Sequence, residues 1–297
     1  MIPPPGIYRD TPMAEYHGWD AASNSRLSKL LRSPAHLKAA IEEGFEETPA
    51  LAFGRACHTA ILEPEEFPRR YEKAAQCCAV TVKGARCSKT GVVIEAGEGG
   101  QLCSIHAKGA GVEAIEVLSV ADWNRCLGMR DAVHRLQSAD TMLADLGEVE
   151  VSIRWDDEAS GVPCKARWDG YTKLAGGCIL DLKTTVDAAP RAFEKSIFAY
   201  GYHRQGALYL RSAKAHDIAA RHYVIIAVEK EPPFGACVYR LTEGAIEAGD
   251  LQLDPLLRRY AECMERDEWP CYPSQVQDIG LPDWAWKVCK EQTEMLV

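Results

Sequence analysis

The sequence predicts a mixed α/β protein in which one central mixed sheet is flanked by helices. Three strand-like segments follow one another between residues 148 and 185, with short links that suit an antiparallel meander. A further segment, residues 221–229, contains the apolar run His-Tyr-Val-Ile-Ile-Ala-Val, which is typical of a strand buried on both faces. Helical patterns lie before and after these strands, so we expect helices to cover the sheet.

The composition restricts the classes of function. The 297 residues suffice for one large domain or two small ones. The net charge of −9 argues against a protein that coats nucleic acid, because such binding rests on Lys and Arg. An acidic surface can still coexist with one basic groove. The N-terminus lacks a signal pattern and the apolar runs are too short to span a bilayer, so we expect a cytoplasmic protein without a membrane partner.

The first forty residues contain signals for two short helices. Polar residues at positions 23–25 can cap a helical turn that extends to about residue 32, and Ser33-Pro34 starts a second helix that ends near residue 43. These residues either form a capped surface or offer hydroxyl and guanidinium groups to a phosphate. The candidates for phosphate contact are Ser25, Arg26 and Ser28.

A strongly apolar helix is predicted over residues 50–62. Gly54 lies one turn before His58, so the glycine would allow a neighbouring element to approach the helix closely on the face that carries the imidazole. His58 is either a hydrogen-bonded core residue or a neutral imidazole that binds a metal ion or orients a carboxylate. The adjacent Cys57 is unsuited to act with it as a nucleophile and base, because neighbouring side chains on a helix diverge.

Residues 76–110 interrupt the pattern with a cysteine-rich insertion. Most of the twelve cysteines are scattered, and we expect them to be small buried residues in a reducing compartment. Within the insertion, however, a Cys-x-x-His motif is one half of a tetrahedral zinc site, and two earlier thiolates can supply the other half. Metal binding would then fold a segment that has little core of its own; the alternative is a disordered insertion with incidental cysteines. The candidate ligands are Cys77 or Cys78, Cys87, Cys103 and His106.

A long amphipathic helix is predicted over residues 120–138, and the sheet begins after it. The first strand, residues 148–155, alternates between apolar and polar side chains, and a turn at Gly161 leads to the second strand. Glu150 lies on the same strand face as Ser152 and Arg154. It is either a further acidic group of a functional site or a solvated strand residue.

The second and third strands carry the residues that point to a chemical function. The third strand ends in Asp181-Leu182-Lys183, and because side chains alternate, the carboxylate and the ammonium face one way while Leu182 faces the opposite layer. The second strand supplies Asp169 just before a glycine. Two carboxylates and a lysine on adjacent strands suit a site for Mg²⁺ or Mn²⁺. The alternative is an ordinary surface ion pair between Asp181 and Lys183.

The remaining elements complete the expected architecture. One helix begins after Pro190, and the next carries Gln205 and Tyr209, which are four residues apart and share a helix face. A strand at residues 236–240 pairs back on the buried strand, and a helix over residues 243–268 closes the domain.

In order, these motifs resemble the PD-(D/E)XK nuclease superfamily in its RecB-like branch, and more closely the RecE (exonuclease VIII) type of phages and prophages. The shared patterns are Gly-x-x-x-His ending at His58, an acid in Arg-Trp-Asp-Gly at Asp169, Asp-x-Lys-Thr from Asp181, and Gln-x-x-x-Tyr from Gln205. Residues 27–36, 50–64 and 200–209 are also similar to that family. The resemblance covers nearly all of residues 10–286 except the insertion. It implies a nuclease domain with an N-terminal helical part (1–75), the insertion (76–110) and the nuclease core with C-terminal helices (111–297).

The resemblance implies metal-dependent hydrolysis of DNA phosphodiesters. Asp169, Asp181 and the Leu182 carbonyl would bind Mg²⁺ or Mn²⁺, and His58 would ligate or orient a metal ion or water. Lys183 would position the attacking water, while Gln205 and Tyr209 would hold the DNA strand or support the metal ligands. Further candidates for contact with DNA phosphates are Arg55 and Arg191. The insertion is similar to small zinc motifs of other phage proteins, which favours Cys77 over Cys78 as the first ligand of a structural Zn²⁺.

The family also implies a substrate and partners. A RecE-type enzyme digests double-stranded DNA ends in the 5′ to 3′ direction and leaves a 3′ single strand for a phage annealing protein. It acts as a ring-shaped homo-oligomer, a trimer or tetramer, in the cytoplasm of a bacterial host. The alternatives are an endonuclease or single-strand nuclease of the same superfamily, and a DNA-binding recombination protein without catalytic activity.

Overall fold

The computed structural model of the chain describes residues 2–95, 100–108 and 112–295. The strands in these ranges are β1 (Gly6–Tyr8), β2 (Tyr71–Lys73), β3 (Val93–Glu95), β4 (Gln101–Leu102), β5 (Val112–Leu118), β6 (Glu148–Asp156), β7 (Pro163–Thr172), β8 (Cys178–Thr185), β9 (His222–Glu229) and β10 (Ala236–Arg240). The helices are α1 (Met13–Gly18), α2 (Asn24–Leu30), α3 (Pro34–Glu43), α4 (Pro49–Leu62), α5 (Phe67–Arg70), α6 (Val120–His134), α7 (Gln137–Ala144), α8 (Pro190–Ala199), α9 (Tyr202–Ala215), α10 (Glu243–Arg266) and α11 (Asp283–Glu294). None of these helices is long and apolar enough to cross a membrane.

The main sheet of the described residues has six strands in the order β1-β6-β7-β8-β9-β10. β6, β7 and β8 form the predicted antiparallel meander. β9 is parallel to β8, because α8 and α9 return the chain to the starting edge, and β10 is antiparallel to β9. The prediction of a mixed central sheet flanked by helices is confirmed.

Hydrophobic cores lie on both faces of this sheet. The first core lies beneath α9 and α10, and the second core lies beneath α4 and α6. β9 contributes to both, because its side chains alternate: Tyr223, Ile225 and Ala227 belong to the first core, and Ile226 and Val228 to the second. This double burial explains why β9 is apolar at nearly every position.

The packing of α9 on α10 depends on a glycine. A Cβ atom placed on Gly249 would lie 2.3 Å from the His203 carbonyl oxygen, so only a residue without a side chain lets the two backbones approach this closely. Gly54 of α4 differs, because a Cβ there would meet no atom of the described residues within 4 Å. The prediction that Gly54 permits close approach to a neighbouring element is therefore wrong.

The helix predicted over residues 120–138 is two helices. α6 ends at His134, and Leu136 has an extended backbone with φ −79° and ψ 110°. The turn directs α7 back over the sheet, so that Ala139 and Leu143 also contact the second core. Burial of these side chains offsets the hydrogen bonds lost where the helix is interrupted. The local pattern of apolar residues does not reveal this tertiary packing.

A second, smaller sheet was not predicted. Its strand order is β2-β5-β3-β4, with β2 parallel to β5 and the other pairs antiparallel. β3 and β4 come from the predicted insertion, and β2 and β5 are the segments that flank it. Residues 96–99 and 109–110 of the insertion lie outside the described residues.

Candidate functional site

The two central carboxylates lie where β7 and β8 separate. Backbone pairing of these strands ends at Gly170 opposite Leu180. One residue further, Asp169 Oδ2 accepts a hydrogen bond of 2.7 Å from the Leu182 amide. The carboxylate therefore satisfies an amide that would otherwise bond within the sheet. Asp169 and Asp181 are both buried, at 9% and 1% exposure.

Asp181 is held by two side chains, Lys183 and Gln205. As the strand alternation predicts, Lys183 shares its face, and the Lys183 Nζ lies 2.5 Å from Asp181 Oδ2. Gln205 Nε2 donates to Asp181 Oδ1 and to the Tyr209 hydroxyl, each at 3.0 Å. Asp181 Oδ2 is buried and, apart from the ion pair with Lys183, accepts no hydrogen bond of normal geometry from the described residues. Gln205 thus fixes one carboxylate oxygen, and the other is left with unused capacity for a cation.

His58 reaches the site from α4. Its Nδ1 lies 3.5 Å from Asp169 Oδ2 and 3.8 Å from Glu150 Oε1. Glu150 is therefore not a solvated strand residue, and its other carboxylate oxygen accepts a 2.5 Å hydrogen bond from Arg167 Nε. The imidazole thus lies between two carboxylates from adjacent strands.

An unusual backbone conformation sets the position of Glu150. Its φ of +55° lies in the left-handed region, which costs a residue with a side chain about 1–2 kcal/mol. The two flanking residues consequently face opposite sides of the sheet: Val149 packs on the second core and Val151 on the first. Regular alternation would have put them on the same side.

The charged groups of the site shift one another's proton affinity. Burial, with the neighbouring Asp181 and Glu150, raises the pKa of Asp169 to about 7. Burial lowers the pKa of His58, but Asp169 and Glu150 outweigh burial and raise it to about 9. Burial raises the pKa of Glu150, but His58 and Arg167 outweigh it and lower the value to about 2. At neutral pH the imidazole is therefore protonated, and burial favours the protonated form of Asp169.

These residues fit a divalent cation. Ligand atoms of His58, Glu150 and Asp169 all lie within 4.8 Å of one another. Asp181 is not one of these three residues; its Oδ2 is buried and paired with Lys183, and its role as a further metal ligand stays a prediction. Carboxylate oxygens are the ligands that Mg²⁺ and Mn²⁺ prefer, and a cation would replace the proton that the cluster now holds. Leu182 contributes its amide to this site, and a role for its carbonyl stays a prediction.

A second group of ligand atoms lies in the insertion. Atoms of Cys77, Cys87, Cys103 and His106 all lie within 4.8 Å of one another. These are the residues that the sequence proposed, with Cys77 rather than Cys78 as the first. The two clusters share no residue, and their ligand types differ.

A groove walled by α1, α2 and α3 borders the carboxylate site through Gln205 and Arg167, which contact Asp181 and Glu150. Its volume is about 840 Å³, and its wall includes Gln205 and Tyr209. Two predicted phosphate ligands, Ser25 and Arg26, line it. Ser28 does not: its hydroxyl donates to the Asn24 carbonyl and accepts a 2.6 Å hydrogen bond from an Arg204 amino group. Ser28 therefore fastens α2 to α9.

The two other arginines predicted to contact phosphate differ in availability. Arg55 directs all its N–H groups to Glu47, Tyr71 and Glu116. No donor remains for a phosphate, which argues against the predicted contact. Arg191 is exposed in the first turn of α8, and its role stays a prediction.

Sequence reasoning missed two cations of β7. Arg167 lines the groove, and besides Glu150 it binds the Ser152 hydroxyl and the Thr11 carbonyl. Lys165 is buried and donates to three carbonyls at the end of α1 and just beyond it. Burial lowers its pKa to about 7. Lys165, Arg167 and Asp169 are spaced two residues apart on one strand and therefore share a strand face. This two-residue period is the signal that could have identified the two cations.

Comparisons with known proteins agree with this architecture. Residues 23–279 match the model of a family described as "PDDEXK-like domain of unknown function (DUF3799)". A crystal structure from Eubacterium rectale, described as "Putative exonuclease", aligns over 94% of this chain and 98% of its own, at 12% identity and a TM-score of 0.51. The structure of SSO0001 aligns over 49% of this chain and 58% of its own, at 17% identity and a TM-score of 0.27. No curated protein matches the chain.

The family match and the shared fold extend over the same elements. The matched residues include α4, the β7–β8 strand pair and α9, which carry the carboxylate site. Similarity at 12% identity shows a common fold, and the family match covers most of the chain. The chain therefore belongs to the PDDEXK-like family DUF3799.

Proposed function

We propose that this protein is a nuclease that requires Mg²⁺ or Mn²⁺ and degrades double-stranded DNA from its ends. The observation that carries the proposal is the arrangement of two pairs on adjacent strands: His58 lies 3.5 Å from Asp169 of β7, and Lys183 pairs with Asp181 of β8, although these residues are up to 125 positions apart in the sequence. The exonuclease description of the Eubacterium rectale protein supports the same class of reaction.

The side chains of the site have distinct roles in the proposed reaction. A bound Mg²⁺ or Mn²⁺ would supply an electrophile for the phosphate and lower the pKa of an attacking water. Lys183 offers a positive charge where negative charge develops on the phosphate; burial lowers its pKa, but Asp181 and Asp169 outweigh burial and keep it protonated. Gln205 orients Asp181, and the Leu182 amide orients Asp169.

The groove is the proposed path of the DNA strand. Arg26, Lys29 and Arg167 line it together with the hydroxyl of Ser25. Arg26 also pairs with Asp20 and Arg167 with Glu150, so these two would offer a phosphate only their remaining N–H groups. These groups suit a terminal 5′ phosphate next to the carboxylate site. We therefore propose the RecE-type polarity, in which 5′ to 3′ digestion leaves a 3′ single strand.

The RecE resemblance extends the proposal to partners. The 3′ single strand would be passed to a phage single-strand annealing protein in the bacterial cytoplasm. The working form would be a ring of three or four copies of this chain around the duplex.

Digestion of defined DNA substrates tests this function. We expect Mg²⁺-dependent release of nucleotides from 5′-phosphorylated linear duplex, slower release from the same duplex with 5′ hydroxyl ends, and none from covalently closed circles. Chelation of Mg²⁺ should stop the reaction. Cleavage of closed circles would indicate an endonuclease, preference for single strands a single-strand nuclease, and binding without cleavage a non-catalytic protein. Each of these results would contradict the proposal.

A further inference from the structure

We infer that the insertion holds a structural Zn²⁺ ion, bound by three cysteine thiolates and one histidine, which fastens the second sheet to helix α4. This inference is independent of the nuclease function, because the ligands lie outside the carboxylate site. The proposed ligands are Cys77, Cys87, Cys103 and His106.

The four side chains come from two turns of the chain that face each other. The first turn is a hairpin between Cys77 and Cys87, closed by hydrogen bonds from the Cys87 amide to the Ala79 carbonyl and from the Thr81 amide to the Ala85 carbonyl. The second turn follows β4 and brings His106 Nδ1 within 3.4 Å of both Cys77 Sγ and Cys103 Sγ. Such mutual distances suit four atoms arranged around one tetrahedral ion.

The chemistry of this set selects zinc over magnesium. Thiolate sulfur is a soft ligand and imidazole a borderline one, and both suit Zn²⁺, whereas Mg²⁺ prefers oxygen. Four protein ligands complete a tetrahedron, so a position for a substrate or water does not remain. The site is therefore structural rather than catalytic.

The surroundings of the sulfur atoms favour thiolates. The Cys103 amide donates to Cys77 Sγ at 3.3 Å, which stabilises negative charge on that sulfur. Apolar packing does not explain the cluster, because Leu102 is the one buried residue among the described residues that joins these three cysteines in a small separate core. A metal ion is the interaction that would hold such a segment together.

Side-chain hydrogen bonds connect the zinc cluster to the second sheet. Gln101, two residues before Cys103, is buried at 7% exposure and uses both ends of its amide. Its Nε2 donates to the Lys73 carbonyl and the Glu72 carboxylate at 2.9 Å, and its Oε1 accepts the Ala75 amide at 2.6 Å. The loop that carries two zinc ligands is thereby bound to β2 and the residues that follow it.

Arg55 continues this connection to α4. It donates to the Tyr71 hydroxyl of β2 at 2.7 Å and to the Glu116 carboxylate of β5 at 2.8 Å. Because Arg55 lies one turn before His58, the second sheet fixes the helix that delivers the imidazole. Within the insertion, Arg86 binds the carbonyls of Gln76 and Cys77, in keeping with a structural role.

Zinc content of the protein, purified without added zinc and measured by elemental analysis, tests the site. We expect one zinc per chain in the wild type and its loss in Cys87→Ser and Cys103→Ser. Cys78→Ser is the matched control: Cys78 adjoins a ligand but does not belong to the cluster, so this variant should keep its zinc. Asp181→Asn should also keep it, since its carboxylate belongs to the other site. Zinc-free wild type, zinc retained by both ligand variants, or zinc lost from Cys78→Ser would overturn the proposal.

Two further measurements use the wild type, so they do not depend on whether the cysteine variants fold. The second also tests whether the zinc cluster fastens α4. In folded wild type, replacement of zinc by Co²⁺ should produce a thiolate-to-cobalt charge-transfer band, and absence of that band would refute a cysteine-bound metal. Removal of zinc from the wild type should speed hydrogen exchange in β2, β5 and α4 about tenfold or more, and leave the buried strand β9 unchanged. Unchanged exchange in α4 would overturn the fastening.

Discussion

Asp181 and Lys183 are two residues apart on one strand, and this spacing alone places both side chains on one face. The structure adds that Asp181 is almost completely buried and that Gln205, from a helix on the first-core side of the sheet, fixes one of its oxygens. The other oxygen is paired with the Lys183 ammonium and accepts no further hydrogen bond from the described residues. It therefore keeps a lone pair that could bind a metal ion.

Lys183 is the residue whose charge the proposed chemistry uses directly. Replacement by alanine in Lys183→Ala should lower the rate of DNA hydrolysis about 10²–10³-fold, because a positive charge next to the reacting phosphate is lost. Lys173→Ala is the control: this exposed lysine lies between the same two strands at their opposite end and should leave the rate unchanged. The measurement is nucleotide release from linear duplex at saturating Mg²⁺. Equal rates for the two variants would contradict the role of Lys183.

Gln205 positions Asp181 and is not expected to contact the phosphate. In Gln205→Ala, we expect activity to fall about 10–100-fold and the Mn²⁺ concentration for half-maximal activity to rise, because Asp181 loses its donor. Titration of activity with Mn²⁺ separates the two effects. A lower maximal rate with an unchanged Mn²⁺ requirement would instead indicate that Gln205 acts on the substrate.

The protonation of His58 and Asp169 determines how the stability of the metal-free protein depends on pH. The pKa of His58 is raised from 6.5 to about 9, so the stabilisation from its protonated form is complete below pH 6.5 and is lost as pH rises through 9. Burial also raises the pKa of Asp169 from 3.8 to about 7, which lowers stability in the same direction but mainly below pH 7, so His58 dominates the fall above it. Thermal unfolding without added Mg²⁺ or Mn²⁺ should therefore give a Tm that falls between pH 6.5 and 9.

Two comparisons make this prediction specific. The fall in Tm should be smaller in His58→Gln, which cannot hold the proton, and smaller in wild type with Mn²⁺, because the cation replaces the proton. A decrease of the same size in all three samples would show that other groups cause it.

At the residue scale, the sequence predicted the local pairs but not the contacts that join them. Asp181 with Lys183 and Gln205 with Tyr209 follow from the periods of a strand and a helix. The contact of Glu150 with His58 depends on a left-handed residue inside a strand, which neither period reveals. Likewise, the N–H groups of Arg55 are occupied because carboxylates from two distant segments, Glu47 and Glu116, accept them.

At the scale of elements, the packing of α9 against α10 positions the helix that carries Gln205. In Gly249→Ala, the added methyl group would overlap the His203 backbone, and we expect a loss of about 1–3 kcal/mol of stability. Gly244→Ala, in the same helix, adds a methyl group that meets no described atom within 4 Å and should cost nothing. Urea unfolding of both variants measures the difference. Equal midpoints would contradict the close approach of the two helices.

Long elements were predictable and short ones were not. The continuous apolar run of β9 and the alternation of β6 are local signals. β1 and β2 have three residues each, and they exist because β6 and β5 pair with them. The break between α6 and α7 is likewise decided by burial of Ala139 and Leu143 against the second core.

At the scale of the whole molecule, an acidic protein has a groove with several basic side chains beside a buried carboxylate site. The net charge of −9 keeps nonspecific affinity for DNA low, so productive binding should depend on the few cations of the groove. The sequence predicted the mixed sheet and its flanking helices. It could not predict the groove, because α1, α2 and α3 form its wall together with residues of β7 and α9 that are more than 100 positions away.

The rate at which Asp181→Asn degrades 5′-phosphorylated linear duplex in Mg²⁺ tests the central claim most directly, because this change removes one charge and keeps the shape of the side chain. Asp278→Asn, an exposed loop variant, is the control for the substitution itself. We expect wild-type activity in Asp278→Asn and a loss of about 10³-fold in Asp181→Asn, with circular dichroism unchanged. Full activity of folded Asp181→Asn would contradict the claim that this carboxylate binds the metal ion for DNA hydrolysis.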